Sequence, residues 1–230
     1  MRRPRAIVTD IEGTTTPVAF VHETLFPYAR AALPDFLART PRPPEVEAAF
    51  AEARALAGGG ALSDGDVVGA LLQWIDEDRK VAPLKTLQGL VWADGYRSGR
   101  LRAPVHDDAA AALRAWHDEG IALAVYSSGS VAAQKLLFGH SDHGDLTALF
   151  SAWFDLATGS KLEAASYAAI AGALGLPPGE VLFLSDHPEE LAAAEQAGMP
   201  VLRVARGDSC SAPPGDHPVI GSFAEIVFEG

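Results

Sequence analysis

Two carboxylates spaced two residues apart, Asp10 and Glu12, stand where the apolar run Ala6-Ile7-Val8 gives way to Gly13-Thr14-Thr15. The run fits a buried strand and Gly13 allows a sharp turn. Both acids can then face the crevice beyond the ends of parallel strands, where open α/β sheets bind ligands. Asp10 is there a candidate nucleophile, although a strand running into an acidic, solvated loop reads the same way. Tyr126-Ser127-Ser128-Gly129-Ser130 ends a second apolar run and precedes the helical pattern Val131 to Leu137. Hydroxyls and backbone N–H groups at such a helix start can hold a phosphate, and an ordinary serine N-cap looks no different. Lys161, after Thr158-Gly159-Ser160, opens a helical segment. A cation there gains nothing from the helix dipole, so it serves a ligand or simply faces solvent. Leu184-Ser185-Asp186 ends a third run, and Asp186 is either a helix N-cap or a second acid beside Asp10. Two carboxylates in one crevice are costly unless a divalent cation neutralises them. Mg²⁺ keeps several waters, so one or two carboxylates, a carbonyl and a phosphate oxygen are enough to hold it. In this order and at strand ends, the four groups are those that phosphoryl transfer through an aspartyl-phosphate requires.

The elements that position these groups follow from periodicity. The runs Ala6 to Val8, Ile121 to Tyr126 and Val181 to Leu184 each lead through small or acidic residues into a helical pattern, the alternation of a parallel α/β sheet. Asp107 to Glu119, Ser166 to Leu174 and Glu189 to Ala197 read as helices that cover it. Between the first strand and the rest, the pattern is helical throughout: Glu45 to Ala57, Asp64 to Arg79 and Pro83 to Tyr96, with joints such as Gly58-Gly59-Gly60. The expected organisation is an α/β core from residues 1–19 and 100–230, with an all-helical block, 20–99, inserted after the first strand. His140, His143 and His187 show no ligand spacing with a third donor.

The chain has 230 residues and a formal net charge of -12. Such a field repels polyphosphates at long range, which argues against a nucleic-acid partner or an anionic membrane surface. It leaves room for a small phosphorylated substrate held in a local electropositive pocket. Cys210 is the single cysteine, which rules out an intrachain disulfide and a thiolate-based metal site and suggests a reducing compartment. Met1-Arg2-Arg3-Pro4-Arg5 is basic like a signal-peptide start, but the apolar stretch after it stops at Asp10, too soon for a signal sequence. No segment is long and apolar enough to span a bilayer, and the expectation is a cytoplasmic protein.

The ordered set Asp10, Ser127, Lys161 and Asp186 resembles the four motifs of the haloacid dehalogenase superfamily of phosphohydrolases. The resemblance implies an α/β fold, a Rossmann-like parallel-sheet core with an inserted all-helical cap. It implies Asp10 as nucleophile, Ser127 on the phosphate, Lys161 balancing charge and Asp186 holding magnesium. Asp10 to Pro17 (DIEGTTTP), Leu25 to Tyr28 (LFPY), Tyr126 to Ser141 (YSSGSVAAQKLLFGHS), Gly144 to Phe150 (GDLTALF) and Leu182 to Asp186 (LFLSD) are similar to the enolase-phosphatase E1, or acireductone synthase, family. This likeness covers almost the whole chain, the helical block included. It implies enolisation of 2,3-diketo-5-methylthiopentyl-1-phosphate and removal of its phosphate to give the acireductone 1,2-dihydroxy-3-keto-5-methylthiopentene, in methionine salvage. It also implies Mg²⁺ held by Asp10, Asp186 and the carbonyl of Glu12, Glu12 as acid and base, Ser127 and Ser128 on the phosphate, and a monomer. Candidates for the enolisation base are Glu12, His22, Glu23 and Tyr28. The chain departs from the family at His106-Asp107-Asp108, where Tyr-Pro-Asp is usual, and at Glu190-Leu191-Ala192, where Glu-Leu-Asp is common. Both departures lie outside the four motifs and bear on helix packing or cap closure. A carbon-halogen hydrolase needs neither Glu12 nor Asp186, and a non-catalytic phosphate-binding module needs no intact set, so both rivals fit the residues less well.

Overall fold

The computed structural model describes residues 1–207 and 217–229, so Cys210 lies outside the described residues. Two compact units form: Met1–Val18 with Arg102–Gly230, and Ala19–Leu101.

The first unit is built on β1 (Ala6–Thr9), all four residues of which are buried. The chain returns to it with α6 (Asp107–Asp118), β2 (Ala122–Tyr126), α7 (Val131–Gly139) and β3 (Ala152–Phe154). Then come α8 (Ala164–Ala173), β4 (Val181–Ser185), α9 (Pro188–Gln196), β5 (Val201–Val204) and β6 (Val219–Ile220). The described strands make one parallel sheet in the order β3-β2-β1-β4-β5-β6, the order of a doubly wound Rossmann-like fold. β1 and β4 are continuous apolar runs because both faces of a parallel sheet are covered. Tyr167 and Ile170 of α8 and Leu191 of α9 pack with Val8, Tyr126 and Phe183 in one core.

Register decides what the sheet can do. Thr9 lies opposite Val125 on one side and Leu184 on the other. The residues that follow these three, Asp10, Tyr126-Ser127 and Ser185-Asp186, therefore emerge at one edge. After β1 the chain builds outward through β2 and β3, then crosses back to β4 on the opposite side. Asp10 thus stands at the topological switch point, where such sheets bind ligands.

The second unit begins within a short helix, α1 (Val18–Phe20), and a π-helical turn, Val21–Leu25, followed by α2 (Phe26–Ala38), α3 (Pro44–Ala57), α4 (Asp64–Asp76) and α5 (Ala82–Arg97). Leu33, Leu37, Phe50, Leu71, Trp74, Leu87 and Val91 fill its core. Ser63 caps α4 in a reciprocal box with Asp66. That helix stops short of the expected Arg79, because Asp78 turns left-handed at φ 50°. No described helix is long and apolar enough to cross a membrane.

Candidate active site

Asp10 still takes part in the ladder, its N–H donating to the Leu184 carbonyl at 2.9 Å, while its side chain is buried just beyond the strand end against Lys161. The chain then reverses within a few residues. The N–H groups of Thr14, Thr15 and Thr16 all converge on the Ile11 carbonyl, and Gly13 donates to the Thr16 carbonyl at 2.8 Å. Gly13 holds φ 72°, and a Cβ at that position would overlap the Asp186 carboxylate. Glycine is thus required twice here, for its conformation and for the space that Asp186 occupies. Glu12 sits half-buried on this turn, bridged to Thr16.

Lys161 is buried, and its Nζ donates to Asp10 Oδ1 at 2.8 Å. It does not open a helix as its sequence context suggests. It lies in a turn three residues before α8, and the backbone there is fixed from behind. Tyr167 donates to the Lys161 carbonyl at 2.7 Å, Tyr126 to the Gly159 carbonyl at 3.0 Å, and Ser166 to the Ser160 carbonyl at 2.7 Å. Two of these donors come from α8 and one from β2, so the lysine is aimed by the sheet and its covering helix.

Ser127 is buried and accepts from the Gly129 N–H at 3.3 Å, while Ser128 is exposed and Ser130 caps α7. Gln134 reaches back from α7 to donate to the carbonyls of Gly129 and Phe154, both at 2.8 Å, which ties the serine turn to the end of β3. Asp186 is not the cap of α9; His187 occupies that position. The Asp186 N–H donates instead to Thr14 Oγ1 at 3.1 Å. Burial first, and the Asp10 carboxylate second, push the Asp186 carboxyl up to about 6.

One member of this cluster was not foreseen. Glu190 Oε2 lies 2.6 Å from Lys161 Nζ and accepts from Ser185 Oγ at 3.0 Å. It sits in the first turn of α9, where Cβ atoms tilt back toward the helix start and hence toward the strand edge. The signal was its spacing of four from Asp186, masked by the dipole preference that puts acids in first turns generally. Burial pushes the Glu190 carboxyl upward, as does the charge of Asp10, against the pull of Lys161. Burial alone would lower the Lys161 pKa, but the two carboxylates outweigh it and raise it.

Three carboxylates, Asp10, Asp186 and Glu190, thus surround one ammonium and leave two negative charges uncompensated when all are ionised. A divalent cation would supply the missing charge. Among the described residues no three His, Cys, Asp or Glu side chains cluster as ligands. Asp10 and Asp186 are instead a sparse pair of oxygen donors, which would fit a cation that keeps its waters. Of the other base candidates, His22, Glu23 and Tyr28 belong to the helical unit. Tyr28 packs its ring against Gly95, and its buried hydroxyl has no hydrogen-bond partner among the described residues.

A doubly wound sheet with this acid, lysine and second acid at its switch point is the frame of a hydrolase, and the family model of the haloacid dehalogenase-like hydrolases matches residues 4–198. Enolase-phosphatase E1 of Parvibaculum lavamentivorans is 57% identical, covering 90% of this chain and 88% of its own length. The protein of that name from Pseudomonas aeruginosa is 55% identical over 98% of this chain and 99% of its own. The crystal structure of the UTR4 protein of Saccharomyces cerevisiae, 35% identical, superposes with a TM-score of 0.84 and covers 97% of this chain and 100% of that one. The chain belongs to the enolase-phosphatase E1 family of haloacid dehalogenase-like hydrolases.

Proposed function

We propose that this chain is an acireductone synthase of methionine salvage and that both of its reactions run at the Asp10 site. It enolises 2,3-diketo-5-methylthiopentyl-1-phosphate and removes the phosphate, giving 1,2-dihydroxy-3-keto-5-methylthiopentene. One observation carries the assignment to this site: Asp10, Lys161 and Asp186, from three distant segments, meet at a single sheet edge beside the serine turn.

Asp10 attacks phosphorus in line with the departing oxygen and becomes an aspartyl-phosphate. Repulsion between carboxylate and phosphate ester opposes that approach, and Lys161, already 2.8 Å from Asp10, counters it. Ser127 and Ser128, with the N–H groups of their turn, hold the phosphate oxygens. Glu12 protonates the leaving oxygen, then takes a proton from the water that hydrolyses the aspartyl-phosphate. Enolisation removes a proton α to a carbonyl, and Glu12 is the carboxylate on the Asp10 turn able to accept it. The family uses a divalent metal; we assign Mg²⁺, held by the side chains of Asp10 and Asp186 and the Glu12 carbonyl. When bound, it neutralises phosphate charge and polarises the substrate carbonyl.

The enzyme acts on a small phosphorylated substrate. We take it to be a cytoplasmic monomer without nucleic-acid or membrane partners, in keeping with its net charge of -12. The helical unit is taken as its cap. The decisive experiment incubates the protein with the diketo phosphate and Mg²⁺ while following enol formation and phosphate release together. Both are expected, and Asp10→Asn is expected to abolish phosphate release with the fold retained. Near-normal turnover by Asp10→Asn would sink the nucleophile assignment, and phosphate release without an enol would reduce the enzyme to a plain phosphatase.

A further inference from the structure

The turn that carries Asp10 and Glu12 is gripped from outside the crevice by a pair that belongs to none of the four motifs. Arg206, two residues beyond the end of β5, donates from Nε to the Thr14 carbonyl at 2.6 Å and from Nη1 to Asp108 Oδ1 at 2.8 Å. Asp108, in the first turn of α6, accepts on its other oxygen from Ser222 Oγ at 2.8 Å and the Phe223 N–H at 2.7 Å. The guanidinium lies 5.2 Å from the centroid of the Phe223 ring, and the Arg206 side chain is 11% exposed. Thr14, fully buried, works in two directions. Its carbonyl takes the Arg206 bond, and its hydroxyl takes the Asp186 N–H at 3.1 Å. Beside it, Thr15 donates to the Asp10 carbonyl at 3.3 Å and accepts the His106 N–H at 2.9 Å.

The geometry points to Arg206 and Asp108 as positioning residues that hold the Thr14-Thr15 turn where Asp10 and Asp186 can share one divalent cation. This inference rests on the assignment of those two acids as metal ligands. The reason is a chain of contacts with few alternatives. A buried carbonyl that loses its donor keeps its full desolvation penalty, so without Arg206 the Thr14 peptide shifts to find another partner. Its hydroxyl moves with it, and with the hydroxyl the anchor of Asp186. Asp108 keeps the guanidinium from following, because it is itself fixed by the C-terminal segment. None of the hydrogen bonds that fix the backbone of the serine turn or of Lys161 involves this clamp. The protein's own contacts to the phosphate are therefore spared once metal is saturating, while metal affinity and the chemical step are not.

The test uses the full chain, with Mn²⁺ as probe and free Mn²⁺ read by electron paramagnetic resonance. Circular dichroism and Tm are recorded for each variant, and kcat and KM are measured on the diketo phosphate. Arg206→Ala and Asp108→Asn are expected to weaken Mn²⁺ binding and lower kcat, each by roughly 10- to 100-fold, with KM at saturating Mn²⁺ nearly unchanged. Arg206→Lys keeps one cationic donor for Thr14 and should recover part of both losses. A purely structural role would lower Tm and leave the Mn²⁺ Kd of the folded fraction unmoved, and that outcome overturns the proposal. Should Arg206→Ala fail to fold, Thr14→Val removes only the acceptor of the Asp186 N–H. It must weaken Mn²⁺ binding likewise, and a normal Kd also overturns the proposal. Asp186→Asn separates the two layers. If it binds Mn²⁺ as the wild type does, the metal assignment itself fails. If it binds weakly while Arg206→Ala and Thr14→Val bind normally, the clamp alone fails.

Discussion

At the residue scale, the raised carboxyl of Asp186, together with that of Glu190, makes the metal-free protein respond to pH. The pKa of Asp186 stands at about 6, raised by burial and by Asp10. A carboxyl raised in the folded state favours folding while both states hold the proton. That advantage is lost as pH rises from the ordinary aspartate value of about 4 through the folded value of about 6. Protein in EDTA should therefore lose stability between those limits, and Mg²⁺ should raise Tm more at pH 7 than at pH 5; equal shifts at the two pH values would contradict the pairing of Asp186 with a cation. Lys161 gives a second prediction. Lys161→Met leaves Asp10 and Glu190 buried without their shared ammonium, and breaking a buried pair from one side costs about 3–5 kcal/mol. Urea unfolding at pH 7 should show a loss of that order. A smaller loss is expected at pH 5, because Glu190, which burial and Asp10 push up to about 7, is then largely protonated before the lysine is removed and there is less of a pair to break. Asp10, Ser127, Lys161 and Asp186 were legible in the sequence because each follows an apolar run or a Gly- and Ser-rich break. Glu190 was not, because its partner arrives from a distant turn and a first-turn glutamate needs no partner to be explained.

At the scale of elements, the turn before α8 shows how local geometry is converted into a site. Gly159 holds φ 144°, and a Cβ there would overlap the Ser166 hydroxyl, the group that fixes the Ser160 carbonyl next to Lys161. Gly159→Ala should cost about 1–3 kcal/mol in denaturant unfolding and slow phosphate release by displacing Lys161. Adding Ser166→Ala removes the hydroxyl overlap but leaves the strained φ and takes away the hydrogen bond to the Ser160 carbonyl, so the double variant should recover only part of the loss. Full recovery would mean that the backbone conformation is not what requires glycine. The same interplay explains which elements the sequence disclosed. β1, β2 and β4 are uninterrupted apolar runs, and the expected α6, α7, α8 and α9 fall within two residues of their observed ends. β3 is three half-buried residues, and β5 reads as Val-Leu-Arg-Val because Arg203 is buried there at 3% exposure. β6 is two residues held by pairing with β5. None of the three carries a periodic signal, since what makes them strands is a neighbour and not their own pattern.

At the scale of the whole molecule, the charge of -12 and the charge balance of the crevice act on the two ligands in opposite senses. The substrate is an anion and approaches a negative protein, so long-range repulsion slows its encounter. The metal is a cation and is drawn in by the same field. Salt shortens the reach of both effects, from about 30 Å at 0.01 M ionic strength to about 8 Å at 0.15 M. Inside that distance the crevice is governed by its own groups, Lys161 and the carboxylates around it, which salt screens far less. Raising ionic strength over that range should therefore increase kcat/KM for the diketo phosphate by roughly two- to fivefold with metal saturating, while Mg²⁺ affinity falls. The measurement is kcat/KM at two ionic strengths, each at a fixed multiple of the Mg²⁺ Kd determined under the same conditions. A fall in kcat/KM with salt would mean that substrate is steered in by a local positive field reaching well beyond the crevice. Lys161 could not then be its source, because that lysine is buried and already neutralised by Asp10 and Glu190. Opposite salt trends for cation and anion would place the attraction for phosphate where the proposed mechanism needs it, at contact distance and dependent on the bound metal.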